Sequence, residues 1–196
     1  MRILDNIDAR YGCGACFNIC PTEAIHMENN TDGFLELFVD EEKCISCGKC
    51  RKVCPSINCE YPNESIPDIF AFSAEEKILY DSSSGGMFTF LADHILKTGG
   101  YVVGAAYDTE FYVNHVILHS MGELDRIRRS KYLQSSTGDT YKRTKELLEK
   151  GETVLYSGVH ARLQDCYDFW ERTMIICTQW TCCVTVFLHQ DCFMNI

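Results

Sequence analysis

The sequence predicts an α+β protein in which a small cysteine-rich module precedes a larger, mixed α/β domain. Thirteen cysteines occur in 196 residues, and seven of them fall within residues 13–54. A polar segment, YPNESIPD, follows and contains two prolines. Beyond it, predicted strands and helices alternate, which is typical of a mixed α/β domain. We predict a module over 1–60, a linker over 61–67, a partial second domain over 68–158 that is incomplete at the C-terminus, and an irregular tail over 159–196.

The composition narrows the class of protein. The start of the chain has no charged-then-apolar leader, and apolar runs such as VVGAA and CCVTVFL are far shorter than the ~20 residues of a membrane span. We therefore expect a cytoplasmic protein with no membrane partner. The net charge is -10 and Lys and Arg form no long run, which argues against a nucleic-acid partner. An acidic surface would be steered towards basic partners.

One cysteine run carries the strongest chemical signal. Cys44, Cys47, Cys50 and Cys54 follow the spacing C-x2-C-x2-C-x3-C-P. This is the bacterial 4Fe-4S ferredoxin pattern, in which the fourth cysteine of each run ligates the other of two clusters. Structural zinc sites, the alternative, usually take their ligands as two pairs. The run therefore predicts 4Fe-4S binding.

The earlier stretch CGACFNICP repeats this pattern with one ligand missing. Arg10 stands where the first cysteine should be, and a guanidinium donates hydrogen bonds but cannot coordinate iron. If the fourth cysteine of each run ligates the other run's cluster, one ligand set is complete: Cys20, Cys44, Cys47 and Cys50. The other set is incomplete: Cys13, Cys16 and Cys54. It predicts a three-iron cluster, a labile four-iron cluster with a foreign ligand, or no cluster, and we interpret Cys59 as a bystander.

The remaining parts of the module are short. NNTDG at 29–33 predicts a turn, and FLELFV alternates as a strand. Apolar content is low, so we expect bound iron and sulfide to supply much of the folding free energy.

The second domain is predicted from its periodicity. The helix MFTFLADHILK is expected to bury Met87, Phe90, Leu91, His94 and Ile95, and the helix TYKRTKELLEK to begin at a cap, Asp139, and end at Gly151. Other segments are assigned by pattern: DIFAFS, YVVGAAY, YVNHVILH, KYLQSS and TVLYS as strands, and GELDRIRR as a short helix.

Two features of this domain can be interpreted either as ordinary structure or as part of a functional site. The SSSGG loop before the first helix suits a cofactor phosphate, or is an ordinary capped turn. His115 and His119 share one face of a predicted strand, but no third ligand accompanies them, so we interpret them as surface or core residues.

The order of these features resembles a known family. The cluster module, then SSSGGMFTFLADHILKTGGYVVGAAYD, then LDRIRRSKYLQSSTGDTYKRTKELLEKGETVLYSG, is similar to the coenzyme F-420 hydrogenase/dehydrogenase beta-subunit family over residues 10–158. The resemblance implies a ferredoxin-like two-cluster module followed by a flavoprotein-type domain. It implies an oxidoreductase that passes electrons between 4Fe-4S clusters and a flavin, FAD or FMN, and on to a deazaflavin or another soluble carrier. A redox partner protein or subunit is implied as well.

The same resemblance supplies candidates for the flavin-binding wall. They are Ser82, Ser83, Ser84, Gly85, Gly86, Lys131, Gln134 and Ser135. Serines and backbone amides can hold phosphates, and a nearby lysine favours an anionic reduced flavin. Two other interpretations remain open: an electron-transfer and docking protein without its own active site, and a decayed, truncated copy that does neither.

The tail departs from the family pattern directly after VLYSG. The family continues PCQIAGL, whereas this chain continues VHARLQDC. Codons shifted by one base over Val159–Thr181 permit PCQIAGLLRFLGKDYDNLYTVD, and those over Cys182–Ile196 permit LCHGVPSPRLFHEY. We infer that 159–196 is out-of-frame translation without designed chemistry. Seven residues that would otherwise attract attention are therefore not assigned as ligands: Cys166, Cys177, Cys182, Cys183, Cys192, His160 and His189.

This hypothesis predicts a specific result from the coding DNA. Adding or removing one base near codon 159 should restore a reading frame that encodes PCQIAGL. An intact frame with no such one-base restoration would contradict the hypothesis, and the tail cysteines would then need another explanation.

Overall fold

The computed structural model describes residues 11–57 and 72–158, together with the backbone of two strands at 175–179 and 182–187. Several predictions concern residues outside these ranges. They are Arg10, Cys59, the 61–67 linker with Pro62 and Pro67, and, in the tail, His160, Cys166, His189 and Cys192. Within the described residues, no helix is long and apolar enough to cross a membrane.

The cysteine-rich module is built on one β-hairpin. Its elements are α1 (Ala15–Ile19), β1 (Ile25–Asn29), β2 (Leu35–Val39) and α2 (Lys49–Lys52). The strands are antiparallel, with Ile25 opposite Val39 and Asn29 opposite Leu35. The Asn30 side chain closes the turn by accepting hydrogen bonds from the N–H groups of Asp32 and Phe34. The predicted turn and strand are confirmed.

The second part of the chain is a five-stranded sheet with helices. Its elements are α3 (Glu76–Tyr80), α4 (Met87–Lys97), β3 (Tyr101–Tyr107), β4 (Val113–Leu118), a 3-10 helix (Met121–Arg126), α5 (Thr140–Glu149), β5 (Val154–Ser157), β6 (Ile175–Gln179) and β7 (Cys182–Phe187). The strand order is β4-β3-β5-β7-β6. Strands β3 and β5 are parallel, and the other neighbours are antiparallel.

Strands β6 and β7 lie within the tail that the sequence interpretation assigned to a shifted frame. Strand β7 pairs with β5 through backbone groups, which any residue except proline can supply. The pairing therefore does not depend on which frame encodes the strand.

Three predicted segments differ from the structure. KYLQSS is not a strand, because Ser136 forms only an isolated bridge with Asn114. Phe72 and Ser73, at the end of the predicted strand DIFAFS, belong to no strand. GELDRIRR forms only the short 3-10 helix, which ends at Arg126.

Helix α4 has the predicted bounds, but its buried face matches the prediction only in part. Its buried residues are Thr89, Ala92, Ile95 and Leu96. Phe90 is 39% exposed and His94 is exposed, so their predicted burial is wrong. The predicted burial of Ile95 is confirmed, and Leu91 is partly buried against the same core. The fully buried Ala92 side chain lies in that core with residues of the strands and the 3-10 helix, whereas Phe90 and His94 lie on the exposed side.

Helix α5 begins and ends where predicted, but its start is not capped as expected. Asp139 occupies the cap position with φ -91° and ψ 10°, and its side chain makes no capping hydrogen bond. The Asp139 carboxylate instead lies 3.9 Å from the Arg143 guanidinium. Gly151 has φ +84° and ends the helix, as its lack of a side chain allows.

The module and the sheet share one hydrophobic core. The module contributes Ala15 and Val53, and the second part contributes Val103, Tyr141, Leu148, Val154 and Tyr156. Tyr141 and Tyr156 are both 0% exposed, with ring centroids 5.5 Å apart. The module is therefore packed on the sheet rather than only tethered to it.

The shared core predicts a large cost for truncating Tyr156. Tyr156→Ala should lower the free energy of unfolding by about 3–5 kcal/mol, because it leaves a cavity between α5 and the sheet. Tyr132 is 92% exposed, so Tyr132→Ala should change stability by less than about 0.5 kcal/mol. Urea unfolding followed by far-UV circular dichroism measures both variants. Equal effects would contradict the assigned core.

Candidate metal centre

The hairpin brings the two cysteine runs together. Cys20 precedes β1 and Cys44 follows β2, so the antiparallel pairing returns the chain to its starting point. The Asp40 N–H donates to the Ala24 carbonyl at 2.7 Å, and the Cys44 N–H donates to the Asp40 carbonyl at 3.1 Å. These bonds fix the separation of Cys20 and Cys44.

The four cysteines of the complete set line one cavity. Cys20, Cys44, Cys47 and Cys50 surround it together with the loop between them. We call these four residues the outer site. Gly48, in the same loop, has φ +73° and begins α2, a conformation that glycine adopts without strain. These are the four cysteines of the crossed assignment, and their thiolates are donors that would fit a multi-iron cluster.

Backbone N–H groups point at the Cys20 sulfur. The Ala24 N–H donates to Cys20 Sγ at 3.3 Å, and Thr22 Oγ1 lies 3.7 Å from the same sulfur. Burial raises the pKa of Cys20, but these hydrogen bonds, with those from the N–H groups of Thr22 and Ile25, outweigh it and lower the pKa below that of an ordinary thiol. The thiolate needed for iron binding is favoured. Sequence reasoning did not identify Thr22 or Ala24.

A single metal ion and a four-iron cluster place different demands on the spacing of their ligands. Among the described residues, no three His, Cys, Asp or Glu side chains converge as ligands of one metal ion would. Zinc requires four ligands at about 2.0–2.3 Å, which forces their donor atoms close together. A cubane carries its irons at separate corners and accepts thiolates that are farther apart.

Two cysteines of the incomplete set lie near each other. We call Cys13, Cys16 and Cys54 the inner site. Burial raises the pKa of Cys16 to about 12, and the nearby Cys54 and Cys50 thiolates raise it as well. Cys16 therefore lies near its predicted co-ligand Cys54 and also near Cys50 of the outer site. Binding iron at Cys16 requires removal of a strongly held proton.

The two sites face different surroundings. In the outer site Cys47 is exposed, and the neighbouring Ile45 is 64% exposed. In the inner site, Cys13 packs against the core shared with the sheet, and its carbonyl accepts a hydrogen bond from Thr137 Oγ1 at 3.1 Å. The outer site thus has one exposed cysteine, Cys47, although its Cys50 is buried, and the inner-site Cys13 packs on the second part of the chain.

The structure brings part of the predicted flavin wall together. Ser83 Oγ accepts a hydrogen bond from the Ser130 N–H at 3.0 Å, which places the SSSGG loop beside Lys131. Ser82 Oγ donates to the Ile78 carbonyl at 2.7 Å. Ser84 is exposed, and Gly86, with φ +79°, begins α4. A Cβ atom on Gly85 would lie 2.5 Å from the Phe72 carbonyl oxygen, so this loop packs tightly on residues 72–74.

The other candidates for the flavin-binding wall form hydrogen bonds within the chain or are buried. Lys131 Nζ donates to the carbonyls of Arg128 and Arg129, and burial lowers its pKa. Gln134 Oε1 accepts from the Leu35 N–H at 2.7 Å, and Ser135 beside it is buried. Gln134 therefore lies against the cysteine-rich module.

A cavity lies where the β1–β2 hairpin meets the loop of residues 136–138. It measures about 390 Å³ and is lined by residues of the β1–β2 hairpin and of the 136–138 loop, with Gly12 and Phe17 at the inner site. Its volume is within the range of small-molecule sites.

The two histidines do not form a metal site in the described residues. His115 is buried, with Nε2 3.2 Å from the Ser157 carbonyl oxygen and its ring stacked on Tyr156. His119 Nδ1 lies 2.9 Å from the Gly100 carbonyl oxygen, and its ring stacks on Tyr101. Each imidazole is held by a carbonyl and an aromatic ring.

Comparison with known proteins supports the iron-sulfur assignment. Two family models, both described as a 4Fe-4S dicluster domain, match residues 10–58 and 36–102. A search of curated proteins gave no match. The chain therefore contains a ferredoxin-type 4Fe-4S dicluster region and has an iron-sulfur electron-transfer role. No matching model identifies the F-420 beta-subunit family or a flavoprotein domain.

The crossed ligand assignment predicts opposite results for two equivalent cysteines, each followed by proline. Cys20→Ser should abolish the complete four-iron cluster, because it removes a ligand of the outer site. Cys54→Ser should preserve it. Iron and sulfide analysis with electron paramagnetic resonance (EPR) of the reduced proteins measures both. Retention of the cluster in Cys20→Ser and its loss in Cys54→Ser would show that each run ligates its own cluster.

Proposed function

We propose that the chain is an iron-sulfur flavoprotein oxidoreductase. It relays single electrons between 4Fe-4S clusters and a flavin, which exchanges two electrons with a soluble carrier of the deazaflavin type or similar. The observation that supports the proposal is the placement of two cysteines, since Cys47 of the outer site is exposed and Cys13 of the inner site packs on the core shared with the sheet. A relay between an external redox partner and a second domain needs this order.

The loop at the start of α4 supports a phosphate-binding role. Three serines and two glycines precede an eleven-residue helix whose first N–H groups lack partners within the helix. The Ser83 to Ser130 hydrogen bond holds the half-buried Lys131 near the same loop. When bound, a flavin would supply the coupling between one-electron and two-electron chemistry. These residues would orient its phosphate and favour negative charge beside it.

A specific observation favours a second function, an electron-transfer and docking protein without its own active site. Lys131 Nζ donates hydrogen bonds to two backbone carbonyls, and the Gln134 side chain accepts a hydrogen bond from the module. If these bonds persist in solution, two of the proposed flavin contacts are unavailable. The chain would then pass electrons between protein partners only.

Anaerobic purification with added flavin separates the two functions. The flavoprotein proposal predicts about one flavin per chain, and its visible absorbance should bleach together with the cluster on reduction. Lys131→Met should weaken flavin retention without changing the iron content. Lys97→Met, in an exposed ion pair with Asp93 at the far end of α4, is the matched control.

Three outcomes of that purification are informative. Cluster absorbance without any flavin would favour the docking protein. Iron far below one complete cluster, with poor solubility, would favour a decayed copy. Equal flavin loss in the Lys131 and Lys97 variants would contradict the role assigned to Lys131.

A further inference from the structure

The segment 134–138 of the second part of the chain holds the first cysteine loop in place. Thr137 Oγ1 donates to the Cys13 carbonyl at 3.1 Å, and Thr137 is only 5% exposed. Gln134 Oε1 accepts from the Leu35 N–H of β2 at 2.7 Å. Together these bonds connect the segment to both the ligand loop and the hairpin.

Two glycines allow this close approach. Gly12 and Gly14 flank Cys13 and have φ values of +60° and +84°. A Cβ atom on Gly12 would lie 2.5 Å from Gln134 Nε2 and 2.8 Å from the Leu35 carbonyl oxygen, and one on Gly14 would overlap Thr137 Oγ1. Any side chain at these positions would separate the loop from the segment.

A third contact ties helix α1 to the same place. Asn18 Nδ2 donates to the Gly138 carbonyl at 2.8 Å, and Asn18 Oδ1 accepts from the Lys142 N–H at 3.2 Å. Helix α1 carries Cys16, so two of the three inner-site cysteines lie on backbone that segment 134–138 and α5 hold directly.

The second part of the chain supports the outer site less directly, through the Gln134 bond to the hairpin rather than through a described hydrogen bond to the backbone of an outer-site cysteine. The hydrogen bonds recorded at its Cys20 sulfur come from Thr22 and Ala24, within the module itself. Thr137 therefore contacts the backbone of an inner-site cysteine, whereas the described hydrogen bonds at the Cys20 sulfur come from the module.

We propose that Thr137 is a positioning residue for the inner cluster, and that segment 134–138 is part of that cluster's site. By fixing the Cys13 carbonyl, Thr137 sets the direction in which the Cys13 sulfur points. Side chains that hold a metal ligand in place without binding the metal typically change metal affinity by about 10–100-fold when they are removed. The inference rests on the iron-sulfur role and is independent of flavin binding.

The test uses full-length protein with Arg10→Cys, which supplies eight thiolates, after anaerobic reconstitution. Iron release to a colorimetric chelator should then occur in two phases, one for each cluster. Cys54→Ser identifies the inner phase by removing it. Thr137→Val should accelerate the inner phase roughly 10–100-fold and leave the outer phase unchanged. Thr137→Ser, which keeps the hydroxyl, should restore the original rate.

Two further threonines serve as matched comparisons. The Thr98 hydroxyl bonds only to α4 carbonyls in the described structure, so Thr98→Val should leave both phases unchanged. Thr22 Oγ1 contacts the Cys20 sulfur, so Thr22→Val should accelerate the outer phase alone.

Asn18→Ala tests the same proposal if Thr137→Val does not fold. It removes the neighbouring hydrogen bond between helix α1 and Gly138 of segment 134–138. It too should accelerate only the inner phase. The proposal is overturned if the Thr137 and Thr98 valine variants release iron alike, or if both phases accelerate equally. It is also overturned if the Arg10→Cys protein retains only one cluster.

Discussion

The antiparallel pairing of β1 with β2 is the constraint on which the metal centre depends. The two cysteine runs are separated by more than twenty residues, and only the hairpin returns Cys44 to Cys20. A slip of one residue in its register would move every side chain to the opposite face. The Asn30 turn and the Asp40 to Ala24 hydrogen bond, at opposite ends of the hairpin, hold that register. The metal site is thus specified by a few backbone bonds rather than by a large core.

The two candidate sites differ in the way an electron relay requires. The outer site is complete and its Cys47 is exposed, whereas Cys13 of the inner site packs against the core that Tyr141 and Tyr156 share with the module. The missing ligand at position 10 affects the inner site. If the relay proposal is correct, Arg10 weakens the step between the module and the sheet rather than the entry of electrons from outside.

Much of the fold was predictable because it depends on local patterns. The hairpin, helices α4 and α5 and strands β3, β4 and β5 each have a clear periodicity or a glycine stop, and the ligand grouping followed from the cysteine spacing. The buried face of α4 was not predictable, because it depends on how closely Ala92 approaches the sheet. Helices α1 and α2 contain only five and four residues, too few to show a period.

The contacts between segment 134–138 and the cysteine-rich module could not be predicted from the sequence either. Thr137 lies 124 residues from Cys13, and Gln134 lies 99 residues from Leu35, so no local pattern connects them. Gln134 was instead assigned to the flavin wall through family resemblance. Its observed bond to the hairpin shows that a residue can match a family pattern and still have a role in holding two parts of the chain together.

Mössbauer spectroscopy of the wild-type protein, reconstituted anaerobically with isotopically enriched iron, tests the central claim most directly. The account predicts one intact 4Fe-4S cubane in which every iron is ligated by thiolate, with any additional iron in a species of three irons or fewer thiolates. Zinc bound in place of iron, or a spectrum without a cubane, would contradict it.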